Sequence, residues 1–296
     1  MRHSLDKRSV GPASYRTAAE LLMERERRVT YGVVPHTLTS DPLPETSWQL
    51  IGDEFLLRGE GHHYFHYRNG DGVRIERGPN ADISEESLWL NGSVHSAIAS
   101  MNGLLPIHAS AVAYDGAVYA FTAPPSGGKS TLVAALANHG FSMFCDDTLV
   151  LDISDPGGIL CLPGHKRLKL CPDSFDLTGA GRQERVSQTV DKFYASPAAG
   201  DVDMALPLAR LVFLEVGPEP DIVRISGAER FMRMRDDHNT AHLFAAARRP
   251  DRAEQFARTS RLARQIEMAR FTRPRDPSRF HEGVDLVAKY VLVSRT

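Results

Sequence analysis

Long apolar runs are missing from this sequence. No stretch approaches the ~20 consecutive apolar residues that a membrane-spanning helix needs. Excess charge of one sign is missing too. The 35 Lys and Arg residues stand against 37 Asp and Glu, a net charge of −2, so no electrostatic pull draws the chain to nucleic acid or an anionic membrane. Cysteine is scarce. Cys145, Cys161 and Cys171 are odd in number and show no C-x-x-C spacing, which predicts buried thiols in a reducing cytoplasm and neither disulfides nor a zinc site. The start of the chain, Met1-Arg2-His3-Ser4-Leu5-Asp6-Lys7-Arg8, has no apolar segment of the kind a signal peptide carries. No internal repeat or low-complexity tract is visible. What is present suits a globular protein: 296 residues, 42% hydrophobic and 24% charged, enough for one large domain or two.

One stretch organises the rest. Ala123-Pro124-Pro125-Ser126-Gly127-Gly128-Lys129-Ser130-Thr131 follows the apolar run Ala117–Thr122 and precedes Leu132–His139, with Gly140 as a helix stop. Strand, tight loop and helix are the context in which G-x-x-x-x-G-K-[ST] cradles phosphate. Gly128-Lys129-Ser130 match the end of that pattern, and Ala123 stands at its first glycine. Pro124 and Pro125 have no N–H to offer. Phosphate is therefore expected on Pro125 through Thr131 by way of the N–H groups from Ser126 onward, with Lys129 on the terminal phosphates and Ser130 on Mg²⁺.

A second half follows one helix later. Phe141–Cys145 reads as a short strand ending in Asp146-Asp147, and Thr148–Ile153 as another strand. Two carboxylates there suit two tasks: holding Mg²⁺ and accepting the proton of a hydroxyl nucleophile. The expectation places Asp146 as base and Asp147 with Ser130 on the metal, although the residues alone do not order the two aspartates.

The run Ile107-His108-Ala109-Ser110-Ala111-Val112, then Gly116, the loop, Gly140 and Asp146-Asp147, resembles HPr kinase/phosphorylase and its relatives. It is most similar to the HPr-kinase-like proteins that modify peptides, including kinases acting on lasso-peptide precursors. The likeness covers residues 104–153 well and continues weakly through Pro163–Leu170 and Asp191-Lys192-Phe193. The Arg-Gly-rich signature that accompanies the phosphorylase reaction is missing, so the reverse reaction is not implied. The resemblance implies an α/β fold, a P-loop kinase core of the HPr kinase C-terminal type with a mixed sheet and helices. It adds His108 to the site. It implies an ATP- and Mg²⁺-dependent kinase of the cytoplasm, with a serine on a peptide or protein as acceptor and room for a homo-oligomer. Two other readings stand beside it, a nucleotide-binding regulatory module without turnover and a kinase of small-molecule hydroxyls.

The remaining chain divides into residues 1–95, a helix plus a small antiparallel β-rich module, and residues 96–296, the nucleotide-binding domain. Thr17-Ala18-Ala19-Glu20 reads as a capping box for a helix over 14–28. Gly52-Asp53 and Asn69-Gly70-Asp71 mark hairpins. His62, His63 and His66 are read as part of a solvated hairpin, because alternation puts His63 on the face opposite the other two. A helix is expected over 85–105 and a hairpin joining Ile159–Leu162 to Leu168–Leu170. His165, Lys166, Arg167 and Lys169 form a basic cluster that either clamps phosphate or lines a solvated edge. Residues 173–205 read as a polar, irregular loop in which Lys192 reaches toward phosphate. Buried strands are expected at 206–216 and 222–225, helices over 227–247 and 250–264, a strand over 266–271 and a helix over 277–292. Asp236-Asp237-His238 is read as the wet face of a helix.

Overall fold

The computed structural model describes residues 16–154, 157–188, 190–196, 200, 202–234, 246–247 and 252–293. The chain opens with helix α1 (Ala18–Glu26). The Thr17 hydroxyl accepts from Glu20 N at 3.1 Å, and the Glu20 carboxylate accepts from Thr17 N at 2.6 Å, which completes the expected capping box. Five strands follow: β1 (Val29–Tyr31), β2 (Ser47–Ile51), β3 (Glu54–Arg58), β4 (Tyr64–Arg68) and β5 (Gly72–Glu76). They form one sheet in the order β1-β5-β4-β3-β2, antiparallel except for the parallel pair β1–β5. Its buried face carries Phe55, Leu57, Phe65, Tyr67 and Ile75, side chains worth roughly 1.5–3 kcal/mol each in transfer from water. His63 is buried beside Glu86, not solvated as expected, while His66 on the central strand β4 pairs with Glu54 of β3.

Helix α2 (Ser84–Trp89), a π-helical turn (Leu90–Val94) and helix α3 (His95–Met101) form one continuous helical run. The division expected after residue 95 falls inside it. The run ends at Gly103, whose φ of +82° no helix accommodates, so Leu105 begins a strand and does not extend the helix as expected. Val94, Ala97 and Ile98 share one apolar cluster with Phe65 of the small sheet and Val150 and Leu162 of the large one.

The large mixed sheet holds β6 (Leu105–Ile107), β7 (Ala109–Tyr114), β8 (Ala117–Thr122), β9 (Ser142–Cys145), β10 (Leu149–Asp152), β11 (Leu160–Leu162) and β15 (Leu206–Val216), in the order β6-β10-β11-β15-β8-β7-β9. Beyond β15 lie β17 (Glu267–Arg273) and then β16 (Asp221–Arg224). Strands β8, β15 and β17 are parallel neighbours, and all are rich in buried residues, as parallel strands covered on both faces must be. Helix α4 (Lys129–Ala137) and the last helix, α8 (Phe280–Val293), pack on one face through Leu132, Leu136, Val284 and Val287. Helix α7 (Arg252–Gln265) covers the other through Leu262. Helix α6 (Gly227–Arg233) ends at the last described residues before a stretch that includes Asp236-Asp237-His238, which lie outside the described residues.

Two expectations fail in the middle of the chain. Leu160–Leu162 and Leu168–Leu170 do not pair. The first, β11, joins the large sheet, whereas the second, β12, joins a three-stranded sheet with β14 (Phe193–Ser196) and β13 (Gly181–Arg185). Residues 173–205 are likewise not an irregular loop, since they hold helix α5 (Asp173–Thr178), β13 and β14. Cys145 and Cys161 are buried as expected, but Cys171 is exposed.

Glu20 also accepts from Ala205 N at 2.7 Å, which ties α1 to the entry of β15. Thr17→Ala removes only the cap and should cost about 1 kcal/mol. Glu20→Ala loses the reciprocal cap bond and strands Ala205 N as well, and should cost about 2–3 kcal/mol. Urea denaturation of the two variants checks the order, and equal losses would show that the Ala205 contact contributes nothing.

Candidate active site

Topology brings the site together. Strand β7 is antiparallel to both neighbours, β8 and β9. Strands β8 and β9 therefore run the same way, and the loop leaving β8 and the aspartates leaving β9 emerge at one sheet edge. His108 enters at that edge too, because it precedes Ala109, the partner of Thr122 at the end of β8. A cavity of about 330 Å³ opens there. Every residue from Pro125 to Thr131 lines it, together with His108, Asp147, Lys169 and Lys192.

The loop accommodates Ala123 without strain. Ala123 is buried, and the left-handed residues lie later, Ser126 at φ +62° and Gly128 at φ +80°. Gly127 N donates to Pro124 O at 2.9 Å and closes a tight turn. A side chain on Gly128 would run into the Arg273 guanidinium, which donates to Gly127 O at 2.8 Å. The helix starts at once, and the first intrahelical bond is Leu132 N to Gly128 O. The N–H groups of Lys129, Ser130 and Thr131 have no intrahelical acceptor, the arrangement that binds anions at a helix N-terminus.

Lys129 is buried and folds back on its own loop. Its Nζ donates to Ala123 O at 3.0 Å and lies 2.8 Å from His108 Nε2. An ammonium has no acceptor, so His108 Nε2 accepts and Nδ1 carries the proton toward Asp147 O, 3.0 Å away. Burial, then the Lys129 charge, holds His108 below its ordinary value and keeps it neutral. Burial pushes Lys129 itself down to about 8 against the pull of Asp147 and Asp146.

The two aspartates occupy different surroundings. Asp146 is 1% exposed. Its Oδ1 accepts from Ser110 Oγ at 2.6 Å and from Ser130 Oγ at 2.7 Å, and its Oδ2 accepts from Lys169 N at 3.0 Å. Asp147 holds a left-handed backbone, φ +72°, a conformation uncommon outside glycine that is often found at functional sites. That turn aims its carboxylate into the cavity, where Lys169 Nζ donates to it at 2.6 Å. Burial raises the Asp147 carboxyl, but Lys169, then His108 and Lys129, outweigh it and leave it below the ordinary carboxylate range. The same pairing outweighs burial at Lys169 and raises it.

Ser130 is thus bonded to Asp146 and not to Asp147, the partner expected from the sequence. The expected basic cluster splits. Lys169 enters the site, Arg167 pairs with Glu184 and stacks on Tyr194, and half-buried His165 is pushed down to about 4 by desolvation and the Lys169 charge. Thr131 Oγ1 lies 3.0 Å from Ser174 Oγ at the cavity wall. Ser110 lies in the run that carries the resemblance but reads there as one small residue of an apolar strand with no site role, and Arg273 lies 145 residues beyond Gly128, a separation only tertiary structure closes.

No family model matches the chain, and no curated protein matches it. Among solved structures it is similar to the Hpr(Ser) kinase/phosphatase from Coxiella burnetii, with 14% sequence identity over 64% of this chain and 95% of that one, at a TM-score of 0.32.

An anion bound at the loop would raise Lys129, so above about 8 the free protein would have to take up a proton to bind it. Affinity for sulfate, whose charge is constant across the neutral and alkaline range, should fall as pH rises through about 8, by at most about tenfold per pH unit. Lys129→Met should bind sulfate weakly with no such slope. Titration calorimetry across the pH series checks both, and a parent affinity independent of pH would remove Lys129 from the anion site.

Proposed function

We propose that this protein is a kinase that uses ATP and Mg²⁺ to phosphorylate a hydroxyl group, a serine on a peptide or protein. The observation that carries the reading is the pairing of two carboxylates with two tasks around one phosphate-type loop. Asp146 is buried against the Ser130 hydroxyl, while Asp147 faces the cavity. The acceptor class comes from the sequence resemblance to HPr-kinase-like peptide kinases.

The residues fit a magnesium ion. Ser130 Oγ and Asp146 Oδ1 are hard oxygen donors 2.7 Å apart. No cluster of three His, Cys, Asp or Glu exists among the described residues. Mg²⁺ suits such a sparse set, because it keeps several waters and takes phosphate oxygens as ligands. When bound, it would neutralise charge on the transferring phosphates. Ser130 and Asp146 would hold it, which reverses the roles expected for the two aspartates.

The chain's own groups account for the rest. Lys129 leaves the loop carbonyls to meet phosphate oxygens, and the N–H groups at the start of α4 do the same. Asp147 stays ionised under Lys169 and is the carboxylate open to an acceptor. As the acceptor oxygen bonds to the γ-phosphorus and the bond to the bridging oxygen breaks, the hydroxyl proton passes to Asp147. Neutral His108 carries its N–H on the Asp147 carbonyl and holds the strained turn in place.

The two aspartates should give different signatures. Asp147→Asn should lower phosphoryl transfer by the ~10²–10⁴ typical of general-base loss, with ATP affinity nearly unchanged. Asp146→Asn should raise the Mg²⁺ concentration needed for activity. EDTA should abolish transfer and Mg²⁺ restore it. Steady-state rates against candidate serine peptides, measured over a magnesium series, check all three. ATP bound tightly with transfer to no peptide or small-molecule acceptor would mark a regulatory module instead, and near-normal kinetics in both variants would end the kinase reading.

A further inference from the structure

A second cavity, about 350 Å³, meets the first at the loop. The two share Ser126 and Gly127 and no other lining residue. Its volume lies within the ~300–1,000 Å³ of small-molecule sites. It sits at the carboxyl ends of β15, the parallel neighbour of the loop strand β8, and of β17, parallel to β15 on its other side, where its walls include Val216 and Arg273. Ligands of open α/β sheets bind in the crevice outside strand carboxyl ends.

The walls combine apolar surface with uncompensated positive charge. Val216, Leu177 and Phe280 give apolar contact. Arg279 is fully engaged with Glu219 and Glu282. Among the described residues no carboxylate engages Arg273: its guanidinium donates to Gly127 O, and burial, then Arg275, lowers it. The acid on the wall, Asp276, is turned to Ser278, whose N and Oγ both donate to it. A cation half-buried against a phosphate-type loop with no counter-charge is a site for an anion.

We infer that this second cavity takes the nucleoside end of the phosphoryl donor, with Arg273 on the phosphate nearest the sugar and the base against Val216, Leu177 and Phe280. The inference rests on the phosphate reading of the first cavity and extends it. The triphosphate then crosses the loop at Ser126 and Gly127, leaving its terminal phosphate by Lys129 and Asp147. Arg273 doubles as a brace: it fixes the Gly127 carbonyl, and only glycine at 128 leaves room for it.

Inorganic triphosphate separates the two cavities, because it carries the phosphates without the nucleoside. In the presence of Mg²⁺, calorimetry on the parent protein should show ATP or GTP binding more tightly than triphosphate. Val216→Trp fills the cavity from a residue that is 60% exposed, so folding is undisturbed. It should weaken the nucleotide by at least about tenfold, or 1.4 kcal/mol, and leave triphosphate affinity unchanged. Leu177→Trp, on another wall, should do the same. Nucleotide and triphosphate binding equally in the parent, or both variants binding nucleotide like the parent, would overturn the nucleoside site while the phosphate site stands. A parent that binds neither probe would overturn both readings together.

Discussion

The buried carboxylate of Asp146 is the constraint on which the site depends. A lone ionised group at 1% exposure is costly, and only hydrogen bonds make it tolerable. Asp146 collects them from three separate elements: Ser110 on β7, Ser130 on α4 and Lys169 N on β12. Its own N–H donates to His165 O at 2.9 Å. The strand that carries it, the helix after the loop and the three-stranded sheet are therefore held in register at one point. Loss of any one donor would leave part of a buried charge unpaired, a penalty of about 1–3 kcal/mol and more for charged groups. Asp147 inherits its position from this arrangement, since the left-handed turn that exposes it begins at a residue that cannot move.

The loop solves a related problem with fewer glycines than usual. Where the first glycine of a phosphate loop would stand, Ala123 is buried with an ordinary backbone, and the left-handed conformations shift to Ser126 and Gly128. Pro124 and Pro125 stiffen the entry, and the Pro124 carbonyl accepts from Gly127 N. Their cost is two lost N–H donors. The compensation is a turn already organised before a ligand arrives, and preorganisation reduces the entropy a ligand must overcome. Arg273 completes the support from a strand two places away in the sheet.

Local signals and nonlocal ones separate cleanly in this chain. The strand-loop-helix over 117–137, the Asp146-Asp147 strand end, the capping box and the hairpins of the small sheet were legible because each is written in a few consecutive residues. The mixed sheet as a whole follows the expected class. The failures are questions of pairing. Leu160-Cys161-Leu162 and Leu168-Lys169-Leu170 look like two arms of a hairpin, yet one pairs with Pro207 and Leu206 and the other with Phe193 to Ala195. Three-residue strands have too few side chains to specify a partner. The order of the two aspartates was likewise not legible, because it depends on a left-handed turn at Asp147 that adjacent identical residues do not announce.

Charge is the last step that ties these elements to chemistry. Lys129, Lys169, Lys192 and Asp147 line the first cavity, and Asp146 is buried behind Ser130. Lys169 is neutralised by Asp147 at 2.6 Å, while Asp146 is satisfied by hydroxyl and backbone donors. Lys129 is left with carbonyls and a neutral imidazole, and burial already weakens its hold on its proton. Two unit charges 4 Å apart interact by about 4 kcal/mol at an effective dielectric of ~20, so an arriving phosphate gains more from Lys129 than the loop carbonyls return. The free state keeps its lysine tied back with its proton less firmly held than usual, and an anion would both release the side chain and strengthen that hold. That exchange would also free the space beside His108, where the Lys129 ammonium lies 2.8 Å from Nε2, so the tied-back lysine and the neutral imidazole belong to the same empty state of the loop.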